Sequence, residues 1–390
     1  MMRGLRIIAL AGAMLVAGGG IALAEGVDEI SPDVAARLYN KDMLDPAQPV
    51  GASPLRDFKA KNPPPWKIGY ASSYAGNTWR ANAMDALQKD IIPKWKDLGL
   101  ISDVIITQSN LNDSTQIQQI RQLVDQGVDA IFVCCSNPTA LNQSVQYAID
   151  KGVPVFSMTG YLTAPSAVNS SVNYQVAGFE IGKRMADELG GKGNVLVVEG
   201  IPGTSGSDSQ NRGVLAGLAT APDIKVVGSV AGMWTDQIAQ GEVQKWLATH
   251  PGKLDGIVVQ SAAEMGVLRA LKQSGRKGVK VAIGGELGAL CTWRKNPELI
   301  SAAVQTWPPA DDVGLIWDIM MRTLQGQGPK VQSVLVDPVV ITHEDVMKLL
   351  PEDCDENTQN WYNVGKDKWG SKEYLDQFFV HPADPTAYKP

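Results

Sequence analysis

The chain has 390 residues, 44% of them hydrophobic and 19% charged, and its 35 basic and 41 acidic side chains leave a formal net charge of −6. Acids and bases are interspersed, so no basic stripe is present to displace counterions from phosphates, which excludes a nucleic-acid binder. The length exceeds one ordinary domain, and two are expected.

At the start, Arg3 and Arg6 precede an apolar run over 7–16, and Ala22-Leu23-Ala24 offers the small-x-small pattern that a signal peptidase cuts. Residues 1–24 are read as a signal peptide, which places the mature protein in the periplasm. Gly18-Gly19-Gly20 interrupts the run, which falls short of the roughly 20 apolar residues that span a bilayer. No cysteine stands at the cleavage point for lipid attachment. Residues 25–65 read as an N-terminal arm ending in Asn62-Pro63-Pro64-Pro65, a stiff extended linker that cannot continue a helix.

From Trp66 the character changes. Strand-like runs at 67–71, 104–107, 130–134 and 154–158 are separated by helical stretches such as 82–98 and 114–126, the rhythm of a parallel sheet covered by helices. Asn112 or Ser114 is placed to cap the second helix, and Gly127 and Gly152 to end helices. The rhythm restarts with strands at 194–199, 225–231, 256–260 and 279–284, interleaved with helices near 210–218, 238–249 and 264–274. The expected fold class is α/β, with two doubly wound parallel-sheet domains. Ligands of such sheets sit beyond the carboxyl ends of the strands. The loops there, at 72–80, 136–139, 159–161, 200–212, 233–236, 261–264 and 286–290, are rich in amides, hydroxyls and tryptophan. Such a set suits a neutral polyhydroxylated ligand, with aromatic faces covering C–H groups.

Catalytic signatures are scarce. His250, His343 and His381 are far apart and form no H-E-x-x-H pair, which gives a metal site little support. Gly203-Thr204-Ser205-Gly206 is not a G-x-S-x-G nucleophile elbow, and the loop at 200–206 lacks the endings of phosphate- and dinucleotide-binding loops. A binding protein without cofactor or metal is expected rather than an enzyme. Four cysteines allow three full pairings. Cys134 and Cys135 adjoin on a strand and point to opposite faces, which makes them core residues, and Cys291 with Cys354 is the bridge to expect, although sequence alone leaves the pairing open.

Several ordered pieces resemble the type I periplasmic binding proteins of the ribose and galactose group. They are Lys67-Ile68-Gly69, Asn77-Thr78-Trp79, Asp129-Ala130-Ile131 with Asn137-Pro138, Gly152-Val153-Pro154-Val155, Gly203-Thr204-Ser205 with Asn211-Arg212-Gly213, and Trp234-Thr235-Asp236. The resemblance spans about 66–342 and implies a hinge of three crossings, near Val172-Asn173, Gln305-Thr306 and Val336-Asp337. Domain 1 would then be 66–172 plus 306–336, domain 2 would be 173–305, and 337–390 a return segment and C-terminal extension.

The ligand set the resemblance implies is Asn77, Trp79, Arg80, Thr159, Asn173, Arg212, Trp234, Gln260, Glu286 and Gln305. Arg212 would be the principal ionic anchor and Glu286 an acceptor. The sequence departs from the sugar binders at Thr159-Gly160, Gln260-Ser261 and Arg80, which argues against ribose itself. The implied function is capture of a sugar or polyol by a monomer that delivers it to the permease of an ABC importer. The alternative is a sensor that presents its ligand to a chemoreceptor or sensor kinase.

Overall fold

The computed structural model describes residues 25–134, 137–306, 308–361 and 371–389. The expected signal peptide, Cys135 and Ser136 lie outside the described residues.

A short helix α1 (Pro32–Leu38) precedes the first strand, β1 (Trp66–Ser72). Helix α2 (Thr78–Ala86) runs through a π turn into α3 (Ile92–Asp97), followed by β2 (Ile101–Gln108), α4 (Asp113–Asp125), β3 (Ala130–Val133), α5 (Asn142–Asp150), β4 (Val155–Met158) and β5 (Val168–Val172). The second series is α6 (Tyr174–Glu188), β6 (Lys192–Glu199), α7 (Ser205–Leu218), β7 (Asp223–Ala231), α8 (Asp236–Thr249), β8 (Gly256–Val259), α9 (Glu264–Ser274), β9 (Lys280–Ile283), α10 (Leu287–Lys295) and β10 (Ile300–Gln305). The chain finishes with α11 (Pro309–Leu324), β11 (Ser333–Val336), β12 (Val339–Ile341), α12 (His343–Leu349) and α13 (Lys372–Asp376).

The strands form two six-stranded sheets, ordered β11-β5-β4-β3-β1-β2 and β12-β10-β9-β8-β6-β7. Among the described residues the named strands pair in parallel except β10 with β12. Both faces of each sheet are covered, which is why the central strands are apolar throughout rather than alternating. In β3, Ala130 and Phe132 face a core shared with Trp317 and Ile316 of α11, while Ile131 and Val133 face one shared with Ile120 and Leu123 of α4. The chain passes between the sheets three times, after β5, after β10 and after β11. Among the described residues, no helix is long and apolar enough to cross a membrane.

Helix signals held locally. Asn112 caps α4 by accepting from the Thr115 amide, and Gly127 and Gly152 adopt φ of 73° and 79° just past helix ends, a conformation that favours glycine. Helices α6 and α7 touch backbone to backbone, since a Cβ on Gly178 or Gly213 would collide with the other helix's main chain. This close approach fixes α7 against the second sheet.

Two segments behave differently from a plain leader and tail. Val27, Ile30, Val34, Ala35, Leu38, Tyr39, Leu44 and Leu55 of the arm are buried in the core of the first domain. The arm carries its own apolar face, and only its last residues read as a linker. Cys354 is disulfide-bonded to Cys291 in α10, with Cα atoms 5.8 Å apart. The segment after it stays on the second domain, where the Leu287 amide donates to the Asn360 carbonyl. Leu375, Phe378 and Phe379 then pack into the core of the first domain.

Candidate binding site

The carboxyl ends of both sheets meet at a cleft, and the facing loops touch across it. Asn77 Nδ2 donates to the Trp234 carbonyl at 3.1 Å, Thr78 Oγ1 donates to Glu286 Oε1 at 3.4 Å, and the Tyr74 and Thr235 hydroxyls are 2.9 Å apart. Between them lies a cavity of about 50 Å³ lined by Asn77, Trp79, Arg80, Thr159, Tyr174, Gln210, Trp234, Ser261, Ala262 and Thr306. Among the described residues the polar groups of the lining come from both domains, the two indoles come one from each, and no carboxylate takes part.

The first-domain wall is built by the start of α2. Asn77 is its N-cap, accepting from the Arg80 amide at 2.8 Å, so the first turn presents Trp79 and Arg80 to the cavity. The Arg80 guanidinium lies over the Trp79 ring, 4.9 Å from its centroid, and Nη2 donates to Thr159 Oγ1 at 3.0 Å. Its Nη1 is buried and has no hydrogen-bond partner among the described residues. A buried N–H without a partner is uncommon in folded proteins.

The second-domain wall depends on loop conformations that side-chain-bearing residues seldom adopt. Trp234 and Ala262, like Thr159 opposite, have φ of 49°, 63° and 56°. Three of the lining positions therefore hold strained backbone, as binding and catalytic sites often do. Trp234 folds back over Gly200, where a Cβ would collide with the indole.

Five of the residues singled out from the sequence line the cavity: Asn77, Trp79, Arg80, Thr159 and Trp234. The other five do not, and each has a physical reason. Asn173, Gln260 and Gln305 are 1%, 1% and 0% exposed, and each immediately precedes a lining residue: Tyr174, Ser261 and Thr306. Gln305 ends β10, and Asn173 and Gln260 lie one residue past β5 and β8; at all three the side chain turns into the interior and the following residue reaches the cavity. Asn173 caps α6 and donates to the Leu38 and Met43 carbonyls. Gln260 braces the glycine loop, accepting from the Gly200 amide at 2.8 Å and donating to the Ser207 carbonyl at 3.1 Å.

Arg212 lies outside this cavity, for a reason of helix geometry. Two residues along a helix is about 200° around it, so Gln210 of α7 faces the cavity and Arg212 faces away. Its guanidinium pairs with Asp45 of the arm and also donates to Ser209 Oγ at 3.2 Å.

Glu286 lies buried behind the first turn of α2. Burial, then the charges of Glu264 and Asp236, push its carboxyl up to about 9. It is therefore neutral at pH 7, and its Oε2 has no partner among the described residues. Burial likewise raises Glu264, which accepts from the Glu286 amide at 2.9 Å. The lining residues that motif reading missed, Tyr174, Gln210, Ser261, Ala262 and Thr306, had one available signal: most fall in or beside the loops that follow strands.

Comparison with known proteins agrees with this architecture. A family model described as the periplasmic binding protein domain matches residues 68–326. The xylitol-binding protein of Mycolicibacterium smegmatis is 31% identical over 244 residues, 61% of this chain and 68% of its own length. The galactofuranose-binding protein of Escherichia coli is 25% identical over 236 residues, 57% of this chain and 71% of its own. Among solved structures, an ABC transporter solute binding protein from Thermobispora bispora aligns with a TM-score of 0.67 at 24% identity, covering 77% of this chain and 93% of that one. With two parallel sheets, three passages between them and the family model matched over most of both, the chain belongs to the periplasmic binding protein domain family.

Proposed function

We propose that this protein captures a small polyhydroxylated ligand, an acyclic polyol or a monosaccharide, in the periplasm and delivers it to the permease of an ABC importer. The observation that carries this reading is the cavity between Trp79 and Trp234, ringed by the side chains of Asn77, Arg80, Thr159, Gln210, Ser261 and Thr306. Indole faces cover C–H groups, while amides, hydroxyls and a guanidinium match vicinal hydroxyls. The cavity is small, about 50 Å³, which favours a small ligand over an oligosaccharide. The xylitol-binding relative supports the polyol class.

The mechanism needs no chemistry on the ligand. Each domain carries half of the lining, so a ligand that contacts both halves binds the closed form better than the open one and shifts the population towards it. Calorimetry against glycerol, erythritol, xylitol, myo-inositol, ribose, xylose and galactose tests the reading, with the ligand recovered afterwards. One or more members should bind in the micromolar range or tighter and return unchanged. No binding across the panel, or a turnover product, would contradict it.

A further inference from the structure

The partner that Arg212 has found belongs to the N-terminal arm, and the arrangement joins three bodies. Asp45 is 7% exposed. Its Oδ2 accepts from Ser209 Oγ at 2.7 Å and from Arg212, both on α7 of the second domain. Its Oδ1 accepts from the Ala47 amide at 3.0 Å, which fixes the carboxylate within its own turn. The Tyr161 side chain, from the loop after β4 of the first domain, bonds to the same carboxylate. Beside this cluster the Tyr161 amide donates to Ser205 Oγ at 3.0 Å, a direct contact between the domains.

The arm's apolar anchor lies in the first domain, and beside it Gln175 Nε2 at the start of α6 adds a single bond, to the Asp42 carbonyl at 3.2 Å. The arm's apolar residues are in the core of the first domain, and the Tyr39 hydroxyl donates to the Ser333 carbonyl and accepts from the Leu335 amide in β11. It also braces two of the three passages between sheets. Asn173, after β5, donates to the Leu38 and Met43 carbonyls, and Asp337, after β11, pairs with Arg37 at 2.6 Å. Asp45 therefore moves with the first domain, whereas Ser209 and Arg212 move with the second.

We propose that Asp45 sets ligand affinity without touching ligand, by holding the two domains closed through Ser209 and Arg212. Any hinge motion that parts Tyr161 from Ser205 also parts Asp45 from α7, so the contact exists in the closed arrangement and is lost in the open one. A contact made in one state alone shifts the equilibrium between the two, and the apparent affinity follows the closed fraction. The carboxylate is suited to the work. Burial would raise it, but hydrogen bonds from Tyr161, Ser209 and the Ala47 amide, with the charge of Arg212, hold it below its usual range and keep it ionised at pH 7. Pocket and latch share α7, whose Gln210 faces the cavity while Ser209 and Arg212 face the arm.

This inference rests on the binding reading above only for its effect on affinity, and the test separates the two. Small-angle scattering of the ligand-free protein would be recorded for wild type, Asp45→Asn, Arg212→Ala and Arg56→Ala, with xylitol titrated into each. Arg56 pairs with Glu29 inside the arm and serves as the control. The expected result is a larger radius of gyration for Asp45→Asn and Arg212→Ala, a xylitol Kd weakened roughly tenfold in both, and no change in Arg56→Ala. Melting curves identify a variant that misfolds, in which case the other variant decides. If neither variant expands, or if they expand with xylitol affinity unchanged, the proposal is overturned. If they expand and no sugar or polyol binds even wild type, the latch stands and the ligand reading falls.

Discussion

Gly200 shows how a single residue shapes this pocket. A methyl group there would displace the Trp234 indole, so Gly200→Ala should weaken ligand binding at least as much as Trp234→Ala while leaving the core of the second domain intact. Titration alongside a melting curve checks this, and normal affinity would mean that Trp234 has another place to go. Glu286 supplies a pH signature. Its folded value of about 9 lies above the usual 4.5, so the folded state binds the extra proton between those limits. Stability from this group is present in full below about 4.5 and is lost as pH rises towards 9. Glu286→Gln keeps the neutral form, so the variant should lose less stability than wild type between pH 6 and 9, read as the difference of their melting temperatures. Parallel curves would remove the buried neutral acid from the account. At this scale five of the expected residues line the cavity and five lie beside it. Asn173, Gln260 and Gln305 each immediately precede a lining residue, and Arg212 is on the far side of its helix from Gln210, because a motif names a neighbourhood whereas local backbone direction and helix phase decide which side chain points inward.

Elements were more legible where burial is apolar. β3, with Ala130-Ile131-Phe132-Val133, was readable because both faces are packed with hydrocarbon. β5 was not readable as a strand, since Asn169, Ser170 and Ser171 fill its centre and all three are buried. Asn169 accepts from Ser157 Oγ and the Leu162 amide, so polar side chains replace apolar packing at that strand. The α6–α7 pair gives an element-scale prediction. Gly213→Val would force the two backbones apart, rotate Gln210 and Arg212 together, and cost about 2 kcal/mol or more of stability, as overpacking does. Denaturant melts measure it, and a neutral variant would show that the helices are free to separate. The Cys291–Cys354 bridge closes a long loop and should contribute roughly 2–4 kcal/mol. Reduction should lower the melting temperature by the corresponding amount, and an unchanged melt would show that packing alone holds the segment after Cys354.

For the whole molecule, the two-sheet design with three passages followed from the repeated βαβ rhythm and the family resemblance. The integration of both ends did not. The arm's apolar positions and the Phe378-Phe379 pair are short clusters without a long period, and what they pack against lies far away in sequence, so only the folded chain shows that both are part of the first domain's core. In the proposed clamp each half carries one indole, Trp79 and Trp234. The most direct test is a set of binding isotherms for wild type, Trp79→Ala and Trp234→Ala with the polyol or sugar that binds best in the panel. Each substitution should weaken binding by about 1–3 kcal/mol, the scale of removing a large buried apolar contact, with stoichiometry still one ligand per chain. Wild-type affinity in both variants would show that capture does not take place between Trp79 and Trp234, and the clamp assigned to this cleft would be wrong.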